Sequence, residues 1–308
     1  MTMAMYVFVG TLGLLTGSFL NVVINRLYKK QDIIKKRSHC PKCGAVLKWY
    51  ELIPVFSFII QRGKCRACRQ PISFQYPIVE IATSILFLFV VTNFQLFPAV
   101  ESSTFIAGQT VISEFSALQL LQVIFLWITF SGLLVIFAYD IKHYIIPDIV
   151  LFPLIGLVFL ARLIGIWSLD SLNLFGNWTL KIVPTLSRTL DIIGGNSVSL
   201  TSFFLAITAG LFASLFFFII YAISKGRAMG FGDVKLAFFM GLLLGFQEVI
   251  LAIFLAFIFR GIVGSILIVL KKKKLKSQMP FGPFLVLGTF IALFFGDNLI
   301  NWYSSLFL

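Results

Sequence analysis

Long apolar stretches alternate with shorter polar ones along almost the whole chain. Eight of them are long enough, or nearly so, to cross a hydrocarbon core about 30 Å thick. They predict helices over 5–25, 77–95, 118–139, 146–167, 199–223, 233–246, 249–270 and 281–306. The pattern therefore predicts an all-α polytopic membrane protein with about eight transmembrane helices. The first stretch has neither a basic region before it nor a small-residue cleavage site after it, so we expect it to stay in the mature chain.

The composition supports a chain whose main solvent is the bilayer. Of its 308 residues, 59% are hydrophobic and only 12% are charged, and the mean hydropathy is +1.00. A soluble domain of this length would carry about twice that share of charge. No internal repeat is evident. We expect three parts: a first transmembrane helix (1–26), a small polar subdomain inserted between the first and second helices (27–76), and a membrane domain (77–308).

The positive charges are concentrated on one side of the predicted membrane topology. Of the 25 Lys and Arg residues, 21 fall on that side: 12 in 26–76, one at Lys142, three in 224–235 and five in 271–276. That side is cytoplasmic by the positive-inside rule, which places both termini outside. The net charge of +13 is thus a topology signal and a surface for anionic lipids. We expect no nucleic-acid partner.

The polar segment 27–76 carries all four cysteines of the chain. They form two C-x-x-C pairs separated by 21 residues, namely Cys40, Cys43, Cys65 and Cys68. This spacing suits one tetrahedral Zn²⁺ held by four thiolates, which would stabilise a segment too small to build a large core. Two redox dithiols, or buried cysteines without a metal, are the alternatives. A disulfide fits poorly in a reducing cytoplasm.

Two aspartates lie at the predicted cytoplasmic border of membrane helices. Asp233 follows Gly230 and Gly232 at a helix start, where it is either a cap or half of a catalytic pair. The glycines would let the backbone bend or leave room for another chain. Asp140 ends a helix, where a carboxylate faces the negative end of the dipole and has no structural role. A disfavoured charge at a membrane boundary is a functional hypothesis.

Such a pair of carboxylates has a recognisable chemistry. When two lie a few ångströms apart they share a proton, so that one acts as a base on water while the other polarises a carbonyl. Asp148 suits the first turn of its helix, and Glu80 either favours a helix dipole or makes a polar contact in the site. Arg162 can snorkel from the outer end of its span. Arg260 lies midway along its span and needs a partner that the sequence does not name.

Several motifs together resemble the bacterial type IV prepilin peptidases, also called prepilin leader peptidase/N-methyltransferases and related to other GxGD-type intramembrane aspartyl proteases. The resemblance covers nearly the whole chain. Its motifs are Gly17–Asn21, the four cysteines with Glu51–Val55 and Arg62–Arg66, Tyr76–Pro77 with Glu80, Asp140 to Pro147–Asp148, and Gly230–Lys235.

The resemblance implies that Asp140 and Asp233 are the catalytic pair and that Gly230, Gly232, Lys235, Glu80 and Asp148 support them. It also implies cleavage of short basic leaders from prepilins or pseudopilins at the cytoplasmic face of the bacterial inner membrane. Many such enzymes then methylate the new N-terminus with S-adenosylmethionine, for which the sequence identifies no ligands. Longer outward loops around 95–117 and 168–198 depart from the family pattern.

Two other classes of function compete with this interpretation. One is an ion-coupled transporter with a zinc-binding cytoplasmic loop, although transporters more often place their acids near mid-bilayer and show inverted repeats. The other is a membrane anchor for a zinc-binding interaction module, which would leave Asp140 unexplained.

Overall fold

The structure is a computed structural model that describes residues 2–32, 37–93, 105–106, 109–110, 117–164, 197–227, 229–271 and 279–306. Most of these residues are helical. The helices are α1 (Thr2–Tyr28), α2 (Phe56–Ile60), α3 (Gln75–Asn93), α4 (Ala117–His143), α5 (Asp148–Leu163), α6 (Ser197–Ser224), α7 (Phe231–Leu244), α8 (Phe246–Val269) and α9 (Gly282–Ser305). The largest described non-helical part lies between α1 and α3, where Trp49–Leu52 forms a 3₁₀ turn.

The predicted all-helical membrane fold is confirmed, and a helix occupies each of the eight predicted positions. Five of the described helices, α1, α3, α4, α6 and α8, are long and apolar enough to cross a bilayer. Helix α9 is a sixth if its two parts, which meet at an angle of 70° near Gly296, form one span. Helices α5 and α7 are shorter, with 16 and 14 residues. At 1.5 Å per residue, α7 is only about 21 Å long.

Most of the two long outward loops predicted from the sequence lies outside the described residues. The exception is a minimal antiparallel pair of strands within the first loop, β1 (Phe105–Ile106) and β2 (Gln109–Thr110). Phe105 pairs with Thr110 and Ile106 with Gln109.

The chain divides into two compact units, Met1–Val135 and Ile136–Leu308, with the boundary inside α4. In the N-terminal unit, α1 packs against α3 through a face of small residues that includes Gly13 and Gly17. A Cβ added to Gly13 would lie 2.6 Å from Cα of Ser84, and one added to Gly17 would lie 2.6 Å from Cα of Glu80. The glycines therefore let the two backbones approach closely, as small residues do in membranes.

Helix α7 forms the centre of the C-terminal unit. Its sequence is apolar on all sides, which is the pattern of a helix buried all round. Ten of its 14 residues are buried. A Cβ added to Gly241 would lie 2.5 Å from Cα of Gly210, so α7 and α6 are in backbone contact there. Gly245, with φ of +91°, ends α7, and α8 begins at the next residue.

Arg162 differs from its predicted placement. Its side chain does not snorkel to the outer membrane border but is only 2% exposed. Nε donates a hydrogen bond to the carbonyl of Leu242 (3.1 Å) and Nη2 donates to that of Leu243 (2.8 Å). The last carbonyls of a helix lack partners within the helix. Those of α7 are buried, and this draws the guanidinium inward.

Candidate active site and metal centre

Asp233 lies in the first turn of α7 and is 7% exposed. Its Oδ2 accepts a hydrogen bond from the backbone N–H of Gly230 at 3.2 Å, so the carboxylate caps its own helix. The positive end of the helix dipole favours the carboxylate at this position. Capping does not exclude a catalytic role. A carboxylate that accepts one hydrogen bond still has free acceptor sites on its two oxygens.

Asp140 lies one turn before the end of α4 and is 4% exposed. The sequence suggested that the negative end of the α4 dipole leaves this charge without support. The structure supplies the support from another helix, because the backbone N–H of Gly282, the first residue of α9, donates a hydrogen bond to the Asp140 carboxylate. The carboxylate therefore lies at the positive end of α9.

The structure brings the two aspartates together, although they are far apart in sequence. They are close enough for the charge of Asp140 to act on Asp233. Ile146 packs beside both: a Cβ added to Gly232 would lie 3.1 Å from Cβ of Ile146, and one added to Gly282 would lie 3.4 Å from its Cδ1. Two helix N-termini thus face one small site that contains two buried carboxylates.

The two glycines before Asp233 have different surroundings. Ile146 fills the space beside Gly232, so this glycine allows close packing and leaves no room for a bound chain. Among the described residues, a Cβ on Gly230 would meet nothing nearer than Oδ2 of Asp233 at 3.9 Å. Only Gly230 therefore matches the expectation that the glycines leave open space next to the acid.

Arg260 of α8 has its partner in this site. Its Cζ lies 4.9 Å from the centre of the Phe281 ring, within the range of a cation–π interaction. Its charge also acts on Asp233. Phe281 is buried and directly precedes Gly282. The half-buried guanidinium is thus positioned beside the residues that hold both aspartates.

Lys235 and Asp148 form an ion pair between α7 and α5. Nζ of Lys235 lies 2.8 Å from both carboxylate oxygens of Asp148. The lysine also lies over the rings of Phe152 and Phe231, at 5.2 and 5.5 Å from their centres. The Asp148 side chain is 53% exposed. Two residues predicted to support the site therefore contact each other rather than Asp233.

Glu80 connects two parts of the N-terminal unit. One of its oxygens accepts a hydrogen bond at 2.8 Å from the backbone N–H of Val55, which belongs to the cysteine-bearing segment. Val55 has φ of +61°, which is unusual for a β-branched residue. Glu80 also interacts with the hydroxyl of Ser18 in α1. It therefore makes a polar contact rather than only favouring a helix dipole.

The four cysteines form a cluster in which all four sulfurs lie within 4.8 Å of one another. Sγ of Cys40 and Sγ of Cys68 are 4.0 Å apart. In a regular tetrahedron with Zn–S distances of about 2.3 Å, the sulfurs are about 3.8 Å apart. The four cysteines are thus positioned to bind a metal ion, and a cluster of thiolates suits Zn²⁺ better than a hard cation.

The two cysteine pairs lie in turns of the same conformation, a repeat that the sequence did not reveal. In the first, the N–H of Cys40 donates to the carbonyl of Ala45; in the second, the N–H of Cys65 donates to that of Gln70, each at 2.9 Å. Gly44 and Arg69, which follow the second cysteine of each pair, have positive φ. A repeat of backbone geometry with different side chains leaves little trace in the sequence.

The thiols would repel one another if all of them ionised without a cation. Burial raises the pKa of Cys40, but hydrogen bonds from backbone N–H groups of its own turn outweigh burial and lower the pKa to about 7. A backbone hydrogen bond at Gln70 lowers the pKa of Cys68, but partial desolvation and the neighbouring sulfurs raise it to about 11. A divalent cation would offset the repulsion between the thiolates and stabilise the ionised form of all four.

Two family descriptions match the chain, each over one part. "Bacterial Peptidase A24 N-terminal domain" matches residues 11–94, which contain α2, α3 and the cysteine cluster. "Type IV leader peptidase family" matches residues 127–265, which contain Asp140, Asp233 and Arg260.

Similar proteins extend over nearly the whole chain. A prepilin leader peptidase/N-methyltransferase of Xanthomonas campestris is 30% identical over 95% of this chain and 92% of its own. The chain belongs to the type IV leader peptidase family. Proteins of the same name from Legionella pneumophila and Bacillus subtilis are 28% and 27% identical, over 97% and 96% of this chain and 94% and 96% of theirs. No solved structure matches.

The family resemblance inferred from the motifs is therefore confirmed. Sequence reasoning nevertheless missed two residues of this site, Gly282 and Ile146. The dipeptide Gly282-Pro283 is a helix-start signal that was available in the sequence, since proline is favoured in the first helical turn. The sequence contained no comparable signal for Ile146.

Proposed function

We propose that this membrane protein is an aspartyl endopeptidase that removes the short basic leader from type IV prepilins or pseudopilins. The observation that carries the proposal is the pair of buried carboxylates, Asp140 and Asp233, held against two helix N-termini within the part of the chain that matches the leader peptidase family. The alternative of an ion-coupled transporter finds no support among the relatives named above.

The chemistry follows from the closeness of the two buried acids. Each carboxylate accepts one backbone N–H, but the positive charge of Arg260 acts on Asp233. The two buried carboxylates share one proton, so that one is ionised while the other stays protonated. The ionised carboxylate removes a proton from water as the water oxygen attacks the peptide carbonyl, while the protonated carboxyl group donates its proton to the carbonyl oxygen. As the C–N bond then breaks, the leaving amine takes the proton from the first carboxyl group, and a hydroxyl proton of the tetrahedral intermediate returns to the second.

The scissile peptide must reach the pair in an extended form, because helical hydrogen bonds would shield its carbonyl. The open space beside Gly230 is the side from which it can approach. Gly232 instead sets the distance between α7 and Ile146. Both acids lie near helix ends, which places the cut just outside a hydrophobic substrate segment, on the side that we assign to the cytoplasm.

We further propose that the metal held by Cys40, Cys43, Cys65 and Cys68 is Zn²⁺ and that it stabilises the segment 27–76. Bound zinc would neutralise the thiolates and fix the two turns to each other. The names of the relatives favour a second activity, N-methylation of the new N-terminus with S-adenosylmethionine. Among the described residues we identify no ligand set for this donor, so we assign no residue to the methylation step.

Cleavage by purified protein tests the peptidase assignment. The wild type in lipid vesicles should shorten a prepilin, and Asp140→Asn and Asp233→Asn should each reduce turnover by at least about 100-fold, the scale of general acid–base catalysis. Asp148→Asn is the matched control, since its carboxylate pairs with Lys235 instead. Near-normal turnover in either of the first two variants would exclude the pair. Labelled S-adenosylmethionine in the same assay tests methylation.

The expected location is the bacterial inner membrane, with both termini on the outer side. This rests on the distribution of Lys and Arg in the sequence. A topology reporter inserted at position 105 or 185 should report an extracytoplasmic environment. A cytoplasmic signal at either position would reject the orientation without affecting the peptidase assignment.

A further inference from the structure

Helix α2 exposes one apolar face. Phe56, Ile59 and Ile60, which have helical i, i+3, i+4 spacing, are 62%, 64% and 69% exposed. Phe58 points elsewhere: its ring packs against the Phe74 ring at 5.4 Å, and a Cβ added to Gly63 would lie 3.2 Å from it. The helix is therefore fixed on one side and unpaired on the other. We call Phe56, Ile59 and Ile60 the α2 face.

Two contacts place α2 at the end of a membrane helix. Val55, the residue before α2, donates its N–H to Glu80, which lies in the second turn of α3. Phe74, which holds Phe58, directly precedes α3. Helix α3 is one of the membrane-length helices. Helix α2 is thus held beside the N-terminal end of a membrane-length helix.

Helix α3 exposes apolar residues of its own. Ile78, Ile81 and Ile85 of its first turns are 61%, 43% and 58% exposed. On a membrane-length helix, such exposed isoleucines are the residues that contact lipid. The helix that holds α2 through Glu80 therefore has lipid as the solvent of its own exposed residues.

The residues around α2 have the composition of a membrane interface. Trp49 is 77% exposed and lies edge-on to Tyr50, with ring centres 5.8 Å apart. Arg66 lies over the Tyr50 ring at 5.0 Å and pairs with Glu51 at 3.9 Å. Between positions 48 and 69 this glutamate is the only acid, against Lys48, Arg62, Lys64, Arg66 and Arg69. Tryptophan, tyrosine and basic residues are enriched at the level of anionic headgroups.

We propose that Trp49–Ile60 is an in-plane membrane anchor, with the α2 face embedded in the headgroup region of an anionic leaflet. The anchor fixes the four-cysteine cluster to the membrane surface through lipid as well as through Glu80. An amphipathic segment of this kind binds through apolar burial combined with attraction between basic residues and anionic lipid. The proposal does not depend on the peptidase chemistry.

Site-specific photocrosslinking of the full-length protein tests the anchor. Ile59 is replaced by benzoylphenylalanine, and the protein is irradiated in vesicles of phosphatidylethanolamine and phosphatidylglycerol. The matched control places the same probe at Ala67, which is also exposed but lies between the second pair of cysteines. Mass spectrometry should find several-fold more phospholipid adduct at position 59 than at position 67.

The alternatives give other adducts. Crosslinks from position 59 to another part of this chain, or to added prepilin, would overturn the anchor and identify the α2 face as a protein-docking surface. Equal lipid adduct at both positions would overturn it as well. Full metal content shows that each variant is folded. Tryptophan fluorescence is a second measurement. The emission of Trp49 is the difference between the wild type and Trp49→Phe, and brominated lipid should quench it. Absence of quenching would count against the proposal.

Discussion

Oδ2 of Asp140 lies directly against Gly282, so that a Cβ added to this glycine would be 2.5 Å from the carboxylate oxygen. Real Cβ atoms do not approach an oxygen so closely, and either α9 or the carboxylate would have to move. A shift of about 1 Å at a catalytic group can cost about 100-fold in rate. We therefore predict that Gly282→Ala lowers leader cleavage by about 100-fold.

The control for this prediction is Gly261→Ala, because a Cβ at Gly261 meets no atom of the described part of the chain within 4 Å. Its turnover should stay within about twofold of the wild type, since surface substitutions away from special features have small effects. Both variants should unfold at similar temperatures. Normal turnover of Gly282→Ala would show that the Asp140 contact can be rearranged without cost.

Arg260 should contribute to catalysis through its charge. We predict that Arg260→Gln lowers kcat by about tenfold, equivalent to about 1.4 kcal/mol, because the positive charge acting on Asp233 is lost. Arg260→Lys keeps the charge and should recover part of the rate. KM should change little in both. A lysine variant as slow as the glutamine variant would point to the Phe281 contact instead.

The ion pair of Lys235 and Asp148 should matter less. One partner is more than half exposed, and exposed pairs contribute about 0–1 kcal/mol. Asp148→Asn should therefore lower the free energy of unfolding by less than about 1 kcal/mol and leave most of the turnover. Thermal unfolding in detergent, followed by circular dichroism, measures the first effect. A loss of several kcal/mol would mean that the pair holds α5 and α7 together.

Glu80 should be essential to the attachment of the cysteine-bearing segment. In Glu80→Gln the amide oxygen can still accept the Val55 N–H, whereas Glu80→Leu leaves that donor without its acceptor. The unpaired donor should cost about 1–3 kcal/mol. Limited proteolysis between residues 37 and 74 measures the difference. Equal resistance of the two variants would show that the hydrogen bond is dispensable.

The metal centre should lose its ion on acidification. Protons compete with the metal for thiolates, so zinc content should be constant at neutral and alkaline pH and fall as the pH decreases. Cys65→Ser should release zinc at a higher pH than the wild type, because three sulfurs bind less tightly than four. The zinc content of the wild type and of Cys65→Ser, measured after dialysis at a series of pH values, checks both expectations. Zinc content independent of pH and of Cys65 would exclude the four-cysteine site.

The sequence could predict the parts of this molecule that depend on local patterns. Apolar length predicted all eight helix positions, and the spacing of the cysteines predicted the cluster. The acids at helix ends identified Asp140 and Asp233 as a candidate pair. These features are visible because hydrophobic period, ligand spacing and capping act over a few residues.

The contacts between distant helices could not be predicted in the same way. The hydrogen bond from Gly282 to Asp140 joins α9 to α4, and Ile146 packs on glycines of α7 and α9. Arg162 was expected at the membrane border because its position along α5 was known but the end of α7 was not. Each contact depends on which helices become neighbours, and a single sequence contains no signal for that.

The short, largely buried α7 has a consequence for the protein in different membranes. Transmembrane helices that face lipid adjust to bilayer thickness by tilting or sliding. Helix α7 cannot adjust in this way, because its sides are buried and Arg162 holds its last carbonyls. The depth of Asp233 is therefore set by protein contacts and not by hydrophobic mismatch. The position of the cut relative to the substrate should stay the same in thin and in thick bilayers.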